Sequence, residues 1–207
     1  MVNKLVLLLI VLAVPYGVAA DREGGYLSFA AGLAVHRGDA DYDQPLVTMR
    51  SGDASENENL DLFPGPVYEL KLGMVINAHN LVFWNMGQAF FDQGTIGLAK
   101  HYSYWGPGYR LYWNDMAPSP YAEIAIHHES LNFSADKVSA VRGADSREGS
   151  GYALAVGYEF SPRIQLAAFY HVLDTKLQYA HGTFYQISSI GLRWEYALSL
   201  PSLFKFD

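Results

Sequence analysis

His128 and Ser130 are the residues best spaced for covalent chemistry. They lie two apart in a segment reading Ile124, Ile126, His128, Ser130 at alternate positions. Such positions share one face of a strand, so an imidazole base stands beside a hydroxyl nucleophile, the pairing that acyl transfer needs. An orienting third acid is not evident, although Glu129 and Asp136 are close in sequence. A second set is electrostatic. By parity Glu69, Lys71, Arg110, Glu123, Glu159, Arg193 and Glu195 fall on the less apolar faces of alternating segments, with His127 and His171 in the same phase. Charges withdrawn from water need partners, so this set is expected to form an ion-pair network that fills an interior.

Other motifs carry less. Asp39, Asp41 and Asp43 suggest calcium, but the sixth position from Asp39 is Gln44 and the twelfth is Arg50. A calcium loop needs Gly and Glu there. Arg37-Gly38-Asp39 spells an adhesion tripeptide, a pattern short enough to arise by chance. His127 and His128 are neighbours in a strand, point to opposite faces, and do not readily share one ion. No metal site and no cofactor is expected from this pattern.

The elements that must position these residues alternate with a period of two. In Tyr26 to His36 the odd positions are Leu27, Phe29, Ala31, Leu33 and Val35, against Ser28, Ala30, Gly32 and Ala34. Tyr68, Leu70, Leu72, Met74 and Ile76 oppose Glu69, Lys71 and Gly73. Tyr152, Leu154, Val156, Tyr158 and Phe160 oppose Ala153, Ala155, Gly157 and Glu159. Ile190, Leu192, Trp194 and Tyr196 oppose Ser189, Gly191, Arg193 and Glu195. A water-facing side would favour Lys, Glu and Thr. Small residues with a few charges of both signs suit the cramped interior of a closed barrel, which leaves the bulky face for lipid. Strands are expected at 25–36, 66–76, 81–91, 101–113, 120–132, 151–160, 164–175 and 185–197. The fourth is interrupted by Gly106-Pro107-Gly108, which could be a bend. In the third, Asn85 and Gln88 fall on opposite faces. Short connections alternate with long polar ones at 37–65 and 133–150. Trp84, Trp105, Trp113, Tyr109, Tyr112, Tyr121 and Trp194 are expected near strand ends, as interfacial girdles.

Composition agrees with that division. Of 207 residues 50% are hydrophobic and 17% charged, none is Cys, and Tyr (15) outnumbers Phe (11) and Trp (4). Mean hydropathy is nonetheless only +0.02. Beyond the first twenty residues no apolar run nears the roughly 18–20 that a spanning helix needs, so a helical membrane bundle is excluded. Lys4, the apolar stretch Leu5 to Val14 and Val18-Ala19-Ala20 read as a signal peptide over 1–20. One barrel domain over 21–207 is expected to follow, with a C-terminal tail at 198–207. A net charge of −7 gives no reason to expect nucleic acid.

Gly191-Leu192-Arg193-Trp194-Glu195-Tyr196, the leader and the eight segments resemble the small eight-stranded outer-membrane β-barrel proteins. The tail from Ala197, with Pro201, departs from that group, whose last strand usually ends the chain. The resemblance implies an all-β protein, an eight-stranded antiparallel transmembrane barrel in the outer membrane of a Gram-negative cell envelope. Its partners would be outer-membrane lipids, lipopolysaccharide and the barrel-assembly machinery. The resemblance does not itself identify a function; the role read from the chain is non-enzymatic, in envelope integrity or surface interaction through the extracellular loops. His128-x-Ser130 also bears a partial similarity to lipid A deacylase-type barrels, which direct a His-x-Ser pair outward toward an acyl chain. In that family Asn follows the Ser, whereas Leu131 stands here, and the pair lies on a later strand. A lipid A-acting acyl hydrolase is therefore one alternative function. A narrow channel for small solutes is another.

Overall fold

A computed structural model describes residues 22, 24–40, 63–90, 99–133, 146–176 and 184–200. Eight strands account for nearly all of them: β1 (Gly25–Ala40), β2 (Phe63–Asn77), β3 (Asn80–Phe90), β4 (Ala99–Tyr112), β5 (Ser119–Phe133), β6 (Ser146–Ser161), β7 (Ile164–Lys176) and β8 (Phe184–Leu200). Every neighbouring pair is antiparallel, and β8 returns to β1 to close the sheet into a barrel. Closure leaves no sheet edge, which is what a sheet must achieve where no water is present to satisfy its backbone. The leader at 1–20 and the end of the tail at 201–207 lie outside the described residues, as do 41–62 and 134–145 within the two long connections.

The period of two becomes an inside and an outside. Phe29, Leu33, Leu72, Ile126, Val156, Ile190 and Leu192 stand exposed on the outer wall, among the many large apolar side chains there. Ser28, Ala30, Ala34, Ala153, Ala155 and Ala167 are buried in the lumen with Lys71, Arg110, Glu123, Arg193 and Glu195. Eight strands leave an interior that side chains alone can fill. Large groups enter it only where the opposite wall is bare. The ring of Tyr104 occupies the space where a Cβ on Gly87 would lie.

The expected strands agree with those observed except at their ends. The fourth does not bend at Gly106-Pro107-Gly108. Its pairing with β3 continues through Trp84↔Pro107, and its register with β5 is the same at Trp105↔His128 as at Gly108↔Ala125. In β3 the ambiguity resolves with Asn85 buried in the lumen and Gln88 exposed outside. β6 begins at Ser146, inside the stretch read as a long loop. β8 runs on to Leu200, and Ala197 to Leu200 pair with Ser28 to Gly25 of β1.

Tyr112 and Tyr121 correct the girdle expectation. They are 3% and 1% exposed, their rings 5.7 Å apart inside the barrel. Parity decides this: both share a face with Arg110 and Glu123, whose charges they help to cover. Trp84, Trp105, Tyr109, Trp113 and Trp194 do lie on the outer wall.

The outer wall yields a direct test. Leu192→Arg, at an exposed position flanked by Leu33 and Ala168, is expected to lower folding stability in lipid vesicles by about 2–4 kcal/mol. Urea unfolding followed by tryptophan fluorescence measures it. A change within error would mean that this wall does not face hydrocarbon.

Candidate functional site

Strand phase turns acids and bases from β2, β4, β5 and β8 onto one level of the lumen. Glu123 sits at the centre. Lys71 Nζ donates to its Oε1 at 2.9 Å, and Arg110 donates to its Oε2 through Nη2 at 2.6 Å and Nε at 2.9 Å. Arg193 Nη2 donates to Oε1 as well. Glu195 receives Lys71 Nζ at 3.0 Å and Arg110 Nη2 at 2.8 Å. Glu69 receives Arg193 Nη1 at 3.0 Å and the Tyr104 hydroxyl at 2.7 Å. Three cations thus meet three carboxylates, and the cluster is formally neutral.

The surrounding strands complete it. From β1, Ser28 Oγ donates to Glu195 at 2.7 Å, and the Tyr26 hydroxyl donates to the same carboxylate while accepting from Arg110 at 2.9 Å. From β7, Gln165 accepts from Arg110. From β3, the Phe83 ring centre lies 5.2 Å from Lys71 Nζ. The Tyr121 ring of β5 lies 4.4 Å from the Arg110 guanidinium. Buried charges this well partnered offset much of their desolvation, whereas removing one partner strands the others.

Of the seven expected network residues, six therefore meet directly. Glu159 stands apart. Its ion-pair partner is Arg22, just before β1, whose Nε donates to it at 3.0 Å. Arg22 also lies 3.8 Å from the Tyr112 ring centre and donates to the Ala78 carbonyl at 2.8 Å. It thereby covers the barrel end that carries the short turns. Sequence reasoning missed Arg22 because it precedes the first alternating segment. Only its position, one strand-length from Arg37 at the other end of β1, hints at a place on the rim.

A second lumen cluster lies nearer the long connections. His171 Nε2 is 2.8 Å from Glu129 Oε1 and 3.2 Å from His127 Nδ1. All three side chains are buried. The sequence placed the two histidines in lumen phase. Glu129 has the same parity and also turns inward.

On the outer wall His128 is exposed and its ring centre lies 4.9 Å from that of Trp105. Ser130, one pleat further, is half-buried on the same face. Outward positions at this level turn polar: Gln88, Ser103, Ser150, Asp174 and Gln186 stand here, while Ile126 and Tyr152 lie one pleat deeper. The pair therefore sits at the upper border of the apolar band. Glu129 cannot orient His128, being committed to the lumen. Glu148 is better placed. It is exposed on the outer face and is the direct cross-strand partner of Ser130. Its segment carries no legible strand phase in the sequence, where 133–150 reads as one connection.

No protein-family profile and no curated protein sequence matches the chain. Among solved structures it is similar to Ail, the attachment invasion locus protein of Yersinia pestis, with 16% identity and a TM-score of 0.45 over 84% of this chain and 99% of that one. It is similar to Neisserial surface protein A, with 16% identity and a TM-score of 0.45 over 86% and 98%. It is also similar to the outer membrane protein OprG from Pseudomonas aeruginosa, with 13% identity and a TM-score of 0.46 over 89% and 100%. The strand order, closure and apolar exterior of this chain define it as an eight-stranded β-barrel of the outer-membrane type.

The neutral cluster predicts a specific pattern of instability. Arg193→Met leaves Glu69 and Glu123 short of a cation and is expected to destabilise the barrel by about 3–5 kcal/mol. Adding Glu69→Gln restores neutrality and should recover part of the loss. Urea midpoints in vesicles measure both, and equal losses for the single and double variants would contradict a charge-balanced cluster.

Proposed function

We propose that this chain is an integral outer-membrane protein of a Gram-negative cell, exported by a cleaved leader at 1–20. In this reading the barrel is an anchor, and its work is done at the surface, in envelope integrity or contact through the segments at 37–65 and 133–150. The observation that carries the reading is the pairing of an apolar outer wall with a lumen filled by the Glu123 cluster. A filled lumen passes no solute. Outer-membrane lipids and lipopolysaccharide are the immediate partners on this reading, and the barrel-assembly machinery would insert the chain.

Two measurements test it together. The purified protein in planar bilayers is expected to stay silent. Cells that lack it should be restored by the wild type, but not by a chain whose residues 41–62 and 134–145 are replaced with short Gly/Ser connections. Stepwise conductance, or full restoration by the shortened chain, would count against the surface role.

A second reading is favoured by one juxtaposition. His128, Ser130 and Glu148 share the outer face at the border of the apolar band, and Ser130 and Glu148 are cross-strand partners, a relation that puts Cβ atoms about 4.5–5.5 Å apart. An outward groove lined by Phe29, Tyr68, Leu70, Met86 and Trp105 begins beside the His128 ring. An acyl chain could lie in it. His128 would then take the proton from Ser130 Oγ as the oxygen attacks an ester carbonyl of lipid A, with Glu148 orienting the imidazole. The ester C–O bond breaks, His128 returns the proton to the departing hydroxyl oxygen, and a water molecule then releases the fatty acid from the acyl-serine. Mass spectrometry of lipid A from cells carrying wild type or Ser130→Ala decides the matter. Loss of an acyl chain only with the wild type supports the hydrolase, and identical spectra remove it.

A further inference from the structure

The lumen cluster of His127, Glu129 and His171 has a different chemistry from the ion network beneath it. Its donor atoms, His127 Nδ1, His171 Nε2 and one carboxylate oxygen of Glu129, all lie within 4.8 Å of one another. The individual separations are 3.2 Å between the two nitrogens, 2.8 Å from His171 Nε2 to Glu129 Oε1, and 3.9 Å from His127 Nδ1 to the same oxygen. Ligands held about 2.0–2.1 Å from a tetrahedral zinc ion are about 3.3 Å apart. The three observed separations bracket that value. The residues come from β5 and β7, with β6 between them, so the set is assembled only when the barrel forms.

Three further features fit a cation at their centre. Glu129 is buried, its Oε2 has no hydrogen-bond partner, and among the described residues its ion-pair partners are the two imidazoles alone. The six-residue cluster below is already neutral, so it has no spare positive charge to lend. The outer nitrogens of both imidazoles are also provided for. His171 Nδ1 lies 3.2 Å from the Tyr102 hydroxyl, which is 3.1 Å from Ser189 Oγ. His127 Nε2 faces the Asn85 carboxamide at 3.4 Å, and the carboxamide oxygen has no partner. A half-turn of that amide lets the oxygen accept from Nε2–H. Both rings would then carry their proton on the outer nitrogen and turn a lone pair inward, the arrangement that metal-bound histidines adopt. Gly151 makes the room, since a Cβ there would come within 1.9 Å of Glu129 Oε1.

From this convergence we infer that His127, Glu129 and His171 form a site for a divalent transition-metal ion of zinc type, buried in the upper lumen. Two imidazoles and one carboxylate suit zinc better than calcium or magnesium, which prefer oxygen. The rings of Tyr102 and Tyr104 pack against His171 at 5.4 and 4.7 Å, and one water molecule completes the fourth tetrahedral position. The ion acts as a fastener that ties β5 to β7 across β6. It enters as the barrel closes, so metal is supplied during folding.

The test uses the full chain refolded in detergent with zinc, passed through gel filtration, and assayed for metal by mass spectrometry. Folding is checked by heat-modifiable migration. Wild type and His79→Ala, which alters a half-buried histidine at a turn outside the cluster, are expected to retain about one zinc ion per chain. His127→Ala and His171→Ala should retain none. Refolding with cobalt should give the strong visible absorption of a tetrahedral site in the wild type and His79→Ala, and not in His127→Ala or His171→Ala. If either alanine variant fails to fold, the nearly isosteric Glu129→Gln stands in, and its affinity is expected to fall about tenfold or more. Wild type that holds no metal above the buffer would overturn the site. So would metal retained equally by Glu129→Gln and the histidine variants.

Discussion

Glu123 accepts from Lys71, Arg110 and Arg193 at once, and the rest of the barrel depends on that convergence. A closed sheet of eight strands has too little interior for a hydrophobic core of ordinary depth and too much to leave void. Charges fill it here. Each one must be answered inside the wall, because water reaches neither the centre nor the outside. The cluster therefore links β2, β4, β5 and β8 directly, with β1, β7 and β3 attached through Tyr26 and Ser28, Gln165 and Phe83. It sets the level at which those strands stand against one another.

The functional reading follows from the same constraint. A neutral ion cluster packs the lumen, with Arg22 at one end and His127, Glu129 and His171 towards the other. The apolar band of the outer wall ends in a polar border that holds His128, Ser130 and Glu148.

Much of this was legible in the sequence because a period of two assigns every residue to a side. Lys71, Arg110 and Arg193 could be set in the lumen from parity alone, and so could Glu69, Glu123 and Glu195. Their pairings could not, since Lys71 and Glu123 are brought together by strand stagger, which no single strand encodes. Tyr112 and Tyr121 depart from the girdle expectation because tyrosine suits an interface and a polar lumen equally, and strand phase rather than nearness to a strand end decides between them. Tyr26, Tyr102 and Tyr104 also lie inside, whereas Tyr68, Tyr109, Tyr152, Tyr158 and Tyr170 face outward. The abundance of tyrosine thus has two causes. Glu129 and Glu148 show the remaining limit. A carboxylate's role depends on which neighbour strand it meets, and that is set by closure.

The tryptophans offer the most direct measurement of the central claim, that the bulky face meets lipid and the charged face is sealed within. Trp84, Trp105, Trp113 and Trp194 are all exposed on the outer wall. In vesicles containing brominated acyl chains, tryptophan fluorescence is expected to be strongly quenched, and aqueous iodide should quench it weakly. Strong quenching by iodide with little effect of the brominated lipid would contradict the account.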